Sequence, residues 1–337
     1  MRATILYGAG DVRVEDREMP TIEKPTDAII KLAAACVCGS DLWAYRGEPF
    51  GEFPTPMGHE YVGIVTEIGD QVENIRVGDF VVGSFIASDN TCEICQAGYQ
   101  THCVHAAAPG ASQAEYMRVP LADGTLVAVP GRPAPEKIPS LLAASDVLGT
   151  GWFAAKAAEI GPGKTVAVVG DGAVGLMGVL AAKQLGADRI IAMSRHESRQ
   201  QLAREFGATD IVTERGDEGV AKIKELTGGL GAHSTIEAVG TQESLRQAIG
   251  ATRAGGHVGY VGIAHGDLNG TELFFSGVHL HGGPAPVRDY LPELIDLILT
   301  DRIDPGKVFD LTVPLDDAAE AYRAMHERRA IKALLTV

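Results

Sequence analysis

The middle of the chain alternates short apolar runs with longer stretches whose apolar residues recur at helical spacing. In chain order, the short runs are TVAVVG, DRIIAMS, DIV, STIEAVG, HVGYVGI and GVHLHGG. Such alternation predicts βαβ units, in which the strands form a parallel sheet and the intervening helices cover both of its faces. We therefore expect an α/β, doubly wound domain in this part of the chain.

The first third of the chain has a different pattern. It is rich in glycine, proline and β-branched residues, and it contains strand-like runs broken by turns: AIIKLAAACVCGSD, YVGIVTEIGDQV and DFVVGSFIAS. A helical stretch starts near Pro139, and the C-terminal part predicts helix, strand, helix and strand in turn. The length of 337 residues also favours two domains, since one domain usually takes about 100 to 200 residues.

The composition narrows the classes of function. Apolar residues make up 45% of the chain and charged residues 22%, which is an ordinary mixture for a globular protein. A net charge of −15 argues against nucleic acid or anionic lipid as a partner and favours small molecules. No apolar run approaches the roughly 18 residues of a membrane span, and the N-terminus turns charged too early for a signal peptide. We expect a cytoplasmic protein without a membrane partner.

A glycine-rich turn follows the first strand of the α/β region. Gly170, Gly172 and Gly175 have the spacing Gly-x-Gly-x-x-Gly between an apolar strand and a helix. In dinucleotide-binding folds the first glycine makes the turn, the second admits the pyrophosphate, and the third lets helix and strand pack closely. The helix N-terminus adds free N–H groups and the positive end of a dipole. We interpret these glycines, with Val174, as a dinucleotide site; the alternative is a plain strand–helix turn.

The end of the second strand indicates which dinucleotide binds. NAD sites place an Asp or Glu about 20 residues after the glycines, where it accepts a hydrogen bond from the ribose 2′-hydroxyl. Here the strand ends in Ser194, Arg195 and His196, with Arg199 nearby. The first carboxylate, Glu197, is expected in the following loop. Because arginine binds a 2′-phosphate well, the pattern favours NADP(H) over NAD(H). The alternative is a solvated Arg195 and NAD(H) as the cofactor.

The positions of several cysteines and of one histidine in the sequence are typical of metal ligands. The five cysteines are unevenly spaced, which favours metal ligands or catalytic thiols over a disulfide framework. Three of them crowd into one short segment: Cys92, Cys95 and Cys103. Nearer the N-terminus lie Cys38 and His59, with Glu60 beside the histidine. With a dinucleotide turn in the same chain, these residues fit a catalytic zinc with three protein ligands and an open position.

The stretch GHEYVGIVTEIGDQV resembles the zinc signature of the zinc-dependent medium-chain dehydrogenases, the alcohol dehydrogenase family. The resemblance covers nearly the whole chain. It implies a GroES-like, β-rich catalytic domain over residues 1–147 and 283–337, with a zinc-binding lobe near residues 89–103. It also implies a Rossmann dinucleotide-binding domain over residues 148–282.

The resemblance further implies a catalytic zinc site. Cys38 and His59 match the first two ligands of the family. Asp146, which stands before a Thr-Gly-aromatic turn, matches the third. A bacterial branch of NADP-dependent alcohol dehydrogenases similarly uses aspartate there, and in it the glutamate after the histidine, here Glu60, can exchange onto the metal. Asp41 is placed to orient His59 as a hydrogen-bond acceptor. The alternative role for Asp146 is a helix cap.

The zinc lobe of the family binds a structural zinc, and the resemblance aligns its ligands with Asp89, Cys92, Cys95 and Cys103. The alignment rests on Gly98, which follows the third ligand in the family pattern. Aspartate in place of the first cysteine departs from that pattern, but zinc also accepts a carboxylate oxygen. The alternatives left open are a histidine ligand, His102 or His105, and a lobe without zinc.

Ser40 matches the family residue whose hydroxyl relays the substrate proton. Many members pass the proton on to a histidine where this chain has Trp43, which cannot accept one. The route beyond Ser40 stays open between the ribose hydroxyl, water and another group. Thr150, Val239 and Val261 match family positions around the nicotinamide.

The resemblance implies an enzyme that transfers a hydride between an alcohol, or its aldehyde or ketone, and NADP(H). It also implies a homodimer or homotetramer that associates through the strand GVHLHGG. One competing interpretation is a zinc-free quinone or enoyl reductase on the same fold, which would lack Cys38 and the zinc lobe. Another is a non-catalytic protein that binds NADP(H) and zinc. The sequence leaves the individual alcohol open.

Overall fold

The computed structural model describes residues 1–48, 52–263 and 267–337, and the chain divides into two compact units. The first unit comprises Met1–Asp146 and Pro286–Val337, and the second comprises Val147–Ala285. Each unit has its own hydrophobic core, as expected for separate domains. Among the described residues, the helices are all too short or too polar to cross a lipid bilayer.

The N-terminal part of the first unit consists mainly of short antiparallel strands. Its strands are β1 (Arg2–Gly8), β2 (Asp11–Asp16), β3 (Ala28–Cys36), β4 (Thr55–Pro56), β5 (Tyr61–Ile68), β6 (Phe80–Gly83), β7 (Tyr116–Val119) and β8 (Leu126–Ala128). Its helices are α1 (Asp41–Tyr45), α2 (Glu93–Gln96), α3 (Ala122–Thr125) and α4 (Ile138–Ala144).

The second unit alternates helices and strands. Its helices are α5 (Val147–Ala157), α6 (Ala173–Gln184), α7 (Glu197–Phe206), α8 (Gly216–Leu226), α9 (Gln242–Ala251) and α10 (Gly270–Ser276). Its strands are β9 (Thr165–Val169), β10 (Arg189–Met193), β11 (Asp210–Val212), β12 (Ala232–Glu237), β13 (Thr252–Tyr260) and β14 (His279–Gly282). The chain then returns to the first unit with α11 (Val287–Leu299), β15 (Leu311–Pro314), α12 (Ala318–His326) and β16 (Ala333–Thr336).

The sheet of the second unit is parallel throughout and has the strand order β11-β10-β9-β12-β13-β14. This is the order of a doubly wound dinucleotide-binding fold, in which ligands bind at the carboxyl ends of the strands. The predicted α/β sheet is therefore confirmed. Its central strands β9 and β10 are apolar at almost every position, as is typical of strands whose two faces are both covered by helices.

Strand β3 is the centre of the seven-stranded sheet of the first unit, where it pairs with β5, β7 and β16. It is buried at nearly every position. The pairing with β16 is antiparallel and sets Leu334 opposite Cys36. This register carries the residues before β16 to the loop that follows β3, where Cys38 lies.

The helical stretch predicted from Pro139 is interrupted. Helix α4 ends at Ala144 and α5 begins at Val147, so Ser145 and Asp146 form a break between two helices. The Thr-Gly-aromatic segment at residues 150–152 was expected to be a turn, but it lies within the helix α5. The side chain of Trp152 is buried among the core residues of the second unit.

Candidate metal and cofactor sites

Side chains from three places in the first unit meet at one point. Cys38 follows β3, His59 and Glu60 precede β5, and Asp146 lies in the break between α4 and α5. One potential ligand atom from each of these residues lies within 4.8 Å of the others. A thiol, an imidazole and carboxylates at this separation have the donor chemistry of a zinc site. The structure thus brings together every residue that the resemblance assigns to the catalytic zinc.

The Asp146 carboxylate is directed into this cluster. Its Oδ2 lies 3.2 Å from Nε2 of His59 and accepts a 3.6 Å hydrogen bond from the Cys38 thiol. Burial raises the pKa of that thiol, and the nearby charges of Glu60 and Asp146 raise it further. A dication held by these residues would reverse this balance, since it would favour the thiolate and both carboxylates. These contacts favour a ligand role for Asp146.

Asp41 contacts both Cys38 and His59 from outside the cluster. Its Oδ2 accepts hydrogen bonds from the backbone N–H of Cys38 at 2.9 Å and from the side-chain amide of Gln113 at 3.2 Å. Its Oδ1 lies 3.4 Å from Nδ1 of His59. Burial by itself would lower the pKa of His59, but Asp41 and the other acidic groups raise it well above its ordinary value. Asp41 therefore fixes the imidazole so that Nε2 faces the cluster.

Glu60 has a partner that sequence reasoning missed. Lys332, just before β16, donates from Nζ to Oε1 of Glu60 at 2.6 Å and to the carbonyl of Val37 at 3.2 Å. The side chains are 0% exposed for Glu60 and 1% for Lys332, so this ion pair is removed from water. Burial would lower the pKa of Lys332, but Cys36 and Glu60 raise it well above its ordinary value. Oε2 of Glu60 is buried without a hydrogen bond in the described chain, as suits an oxygen free to bind a metal.

A cavity of about 240 Å³ opens beside His59 in the first unit. Its described lining carries no lysine or arginine, and it consists of Ser40, Asp41, Ala44, Thr55, Pro56, Met57, Gly58 and His59. Trp43 lies on α1, half-buried, and is not part of this lining. Arg46, a cationic side chain that follows α1, is also outside this lining. Its Nε donates a hydrogen bond to Nδ1 of His326 at 3.1 Å. The described lining of the cavity thus supplies no lysine or arginine to bind an anionic molecule.

The lobe of the first unit forms a second cluster, of Asp89, Cys92, Cys95 and Cys103, whose potential ligand atoms also lie within 4.8 Å of one another. The Sγ atoms of Cys92 and Cys103 are 3.9 Å apart. Three sulfurs and one carboxylate fit zinc. Neither His102 nor His105 belongs to this cluster.

His105 nevertheless contacts the lobe from outside. Its Nδ1 lies 2.6 Å from Oδ2 of Asp89, while Oδ1 of Asp89 accepts hydrogen bonds from the backbone N–H groups of Thr91 and Cys92. Burial would raise the pKa of Asp89, but these hydrogen bonds bring it well below its ordinary value. Asp89 is thus held as a carboxylate, the form that binds a metal.

The glycine turn has the shape expected for a pyrophosphate site. Gly170 has φ of 118°, which only glycine adopts readily, and a Cβ at Gly175 would lie 2.0 Å from the carbonyl oxygen of Gly170. A Cβ at Gly172, by contrast, would meet nothing within 4 Å, which leaves open space at the start of α6. Val174 lies in the first turn of that helix. These features fit a dinucleotide whose phosphates approach the backbone.

A carboxylate lies at the end of β10, where the sequence predicted none: that of Asp171. Ser194 donates from Oγ to Oδ2 of Asp171 at 2.8 Å, and Arg199 donates from Nη1 to Oδ1 of Asp171 at 3.3 Å. Asp171 lies inside the glycine turn, between the first two glycines. Glu197 is the first residue of α7 rather than part of a loop. Arg195 and His196 are exposed next to this group.

The remaining residues predicted to contact a cofactor also lie in the second unit. Thr150 is buried on α5, which packs against α6. Val239 follows β12, and its Cγ2 would lie 2.9 Å from a Cβ built on Gly170. Val261 follows β13 and is half-buried. Val239 is therefore next to the glycine turn, at the carboxyl edge of the sheet where a dinucleotide binds.

Comparisons with known proteins place the chain in a family. Residues 24–131 match the family model described as an alcohol dehydrogenase GroES-like domain, and residues 173–300 match that described as a zinc-binding dehydrogenase. A Mycobacterium tuberculosis protein described as a "probable zinc-binding alcohol dehydrogenase" is 37% identical, over 97% of this chain and 86% of its own length.

Solved structures extend the likeness to the whole chain. The alcohol dehydrogenase TADH from Thermus sp. has a TM-score of 0.90 and 29% identity, with 100% of each chain covered. A structure from Sinorhizobium meliloti, described as a zinc-binding dehydrogenase bound to NADP, has a TM-score of 0.84 and 26% identity, over 100% of this chain and 99% of that one. The predicted combination of a GroES-like domain and a Rossmann domain is confirmed.

Proposed function

The chain belongs to the zinc-dependent medium-chain dehydrogenases, the alcohol dehydrogenase family, and we propose that it transfers a hydride between an alcohol, or its aldehyde or ketone, and NADP(H). The observation that carries this proposal is the convergence of four potential ligand atoms within 4.8 Å: those of Cys38, His59, Glu60 and Asp146. A cavity beside His59 supplies the space for a small substrate.

The roles of the residues follow from their contacts. Zinc, when bound, supplies a Lewis acid that lowers the pKa of a hydroxyl, and NADP+ supplies the hydride acceptor. Cys38, His59 and Asp146 would hold the metal, with Glu60 as an exchangeable ligand. Ser40 lines the cavity and would relay the proton that the alcohol loses: its hydroxyl would accept that proton while passing its own to the ribose hydroxyl, to water or to another group. Because lysine and arginine are missing from the described lining, we propose a substrate without negative charge.

The preference for NADP(H) is part of the proposal. It is supported by the basic residues that follow β10, Arg195, His196 and Arg199, and by Ser194 in place of a strand-end carboxylate. The relative from Sinorhizobium meliloti, which was solved with NADP, has the same fold. A 2′-phosphate carries the negative charge that such a basic group binds. Thr150, Val239 and Val261 are the proposed contacts to the nicotinamide.

We further propose that the lobe binds a structural zinc through Asp89, Cys92, Cys95 and Cys103. Its donors converge as closely as those of the catalytic cluster. All five cysteines of the chain are free thiols, which suits metal ligands in a reducing cytoplasm.

We propose a homodimer or homotetramer that associates through β14. This strand pairs only with β13 in the described part of the chain, which leaves its outer edge open for a second copy. Helix α10, which precedes β14, exposes Phe274 by 78% and Phe275 by 80%. An apolar pair next to an open strand edge is typical of a contact surface.

Turnover with a panel of uncharged primary, secondary and polyol alcohols, with NADP+ and NAD+ in parallel, tests this function. We expect reduction of the cofactor with at least one alcohol and a higher kcat/KM for NADP+ than for NAD+. Zinc in the purified protein without turnover on any alcohol or carbonyl compound would instead support a non-catalytic protein. Turnover with NAD+ as the better cofactor would overturn the NADP(H) preference and leave the zinc chemistry standing.

A further inference from the structure

Asp171 occupies the place where the sequence shows no carboxylate. Strands β9 and β10 are parallel neighbours, and their register sets Val169 beside Met193. The residues that follow the two strands therefore emerge side by side. Asp171 comes two positions after Val169, and Ser194 directly follows Met193. The turn after β9 therefore places the Asp171 carboxylate at the end of β10. The 2.8 Å hydrogen bond from Ser194 to Asp171 shows the result.

Asp171 also holds the arginine closest to this strand end. Nη1 of Arg199 lies 3.3 Å from Oδ1 of Asp171 and 3.3 Å from its backbone carbonyl oxygen. The side chains are 13% exposed for Arg199 and 11% for Asp171, so water screens this ion pair only weakly. Arg195 is exposed, whereas Arg199 is largely buried and paired with Asp171, so Arg199 is the more strongly held of the two arginines.

We propose that Asp171 determines the selectivity of this site between cofactors with a 2′-hydroxyl and cofactors with a 2′-phosphate, because it competes with the phosphate for Arg199. This inference rests on the proposed function, in which the strand end receives the adenosine ribose. A ribose 2′-hydroxyl can donate a hydrogen bond to the Asp171 carboxylate without disturbing the ion pair. A 2′-phosphate is repelled by the same carboxylate and must draw Arg199 away from it.

As a consequence, Asp171 in the glycine turn weakens the preference of this site for NADP(H). Ser194, Arg195 and Arg199 favour the phosphate, and Asp171 opposes them. Removing the charge of Asp171 while keeping its shape should release Arg199 and strengthen binding of the phosphate form alone. Asparagine meets this requirement, since its amide oxygen can still accept hydrogen bonds from Ser194 and from a 2′-hydroxyl.

Binding of 2′,5′-ADP and 5′-AMP to the full chain isolates this effect, because the two probes differ only at the 2′ position. Calorimetric titration of Asp171→Asn is expected to show 2′,5′-ADP bound about tenfold more tightly than by the wild type, a shift of one decade in Kd. The Kd of 5′-AMP is expected to stay within about twofold. An unchanged ratio of the two constants would overturn the proposal, as would an equal change in both.

A second pair of variants tests the role assigned to Arg199. In an Arg199→Ala background, Asp171→Asn is expected to give less than half of its gain in log Kd for 2′,5′-ADP, because no guanidinium remains to be released. A gain that persists in full without Arg199 would overturn the competition. Arg195→Ala serves as the matched control, in which most of the Asp171→Asn gain should remain. If the asparagine variant does not fold, Asp171→Ser is titrated in the same way.

The same titrations separate this inference from the proposed function. Wild-type protein that binds 5′-AMP as tightly as 2′,5′-ADP would contradict the NADP(H) preference, whatever the Asp171 variant does. Wild-type protein that prefers 2′,5′-ADP, with no further gain in Asp171→Asn, would leave that preference standing and reject the role of Asp171.

Discussion

Replacing Asp146 with asparagine is expected to lower kcat/KM for alcohol oxidation by more than about a hundredfold. Changes to residues that merely support a metal ligand already cost about 10- to 100-fold in affinity or activity. Asp146 lies in the cluster itself, since its Oδ2 is 3.2 Å from Nε2 of His59 and 3.6 Å from Sγ of Cys38. Its replacement should therefore cost more than the replacement of a supporting residue. The amide keeps the shape of the side chain but is a poorer zinc ligand. Steady-state kinetics and the zinc content of the same sample measure both losses.

Asp146→Cys is the matched control for this variant. Cysteine restores an anionic donor at the same position, and zinc accepts thiolate as readily as carboxylate. We expect this variant to retain zinc and to recover a substantial part of the activity that asparagine loses. Wild-type kcat/KM and zinc content in Asp146→Asn would show that Asp146 is not a ligand and would return it to the role of a helix cap.

Replacing Lys332 with methionine is expected to lower the free energy of unfolding by about 3 to 5 kcal/mol. Removing one partner of a buried ion pair leaves the other charge without compensation, and losses of this size are typical. Nζ of Lys332 lies 2.6 Å from Oε1 of Glu60, and both side chains are buried. Urea unfolding at pH 7, followed by far-UV circular dichroism, measures the loss.

The double variant Glu60→Gln with Lys332→Met supplies the control, because it removes both charges. It should recover much of the lost stability, since a neutral pair no longer leaves a charge buried. The folded-state pKa of Lys332 is raised, so, while Glu60 is ionised, the contribution of Lys332 is fully present below its unfolded pKa of about 10 and is lost as pH rises through the folded value. A single variant that unfolds at the wild-type urea concentration would contradict this role.

Local patterns were sufficient to predict the parallel sheet of the second unit and its glycine turn. The parallel sheet follows from apolar runs spaced by helical segments, and the turn at Gly170 follows from the strand and helix around it. The cluster of Cys38, His59, Glu60 and Asp146 required the resemblance to the family as well. Nothing in the spacing of these residues alone shows that they converge.

The partners of these residues could not be predicted in the same way. Lys332 lies 272 positions from Glu60 in the chain, and only the return of β16 to β3 brings the two together. Gln113 donates a hydrogen bond to Asp41, and Tyr322 donates one to Gln113. Neither residue is marked by a periodicity or a motif. Asp171 was visible in the glycine turn, but its contact with Arg199 depends on the register of β9 and β10.

The most direct test of a catalytic zinc is to follow activity and zinc content together as a chelator removes the metal. We predict one zinc for each of the two clusters in the purified protein. Alcohol-dependent reduction of NADP+ should fall to background as zinc leaves the Cys38 cluster, and it should return when zinc is added back. Full activity in protein stripped of both metals would show that zinc is not catalytic.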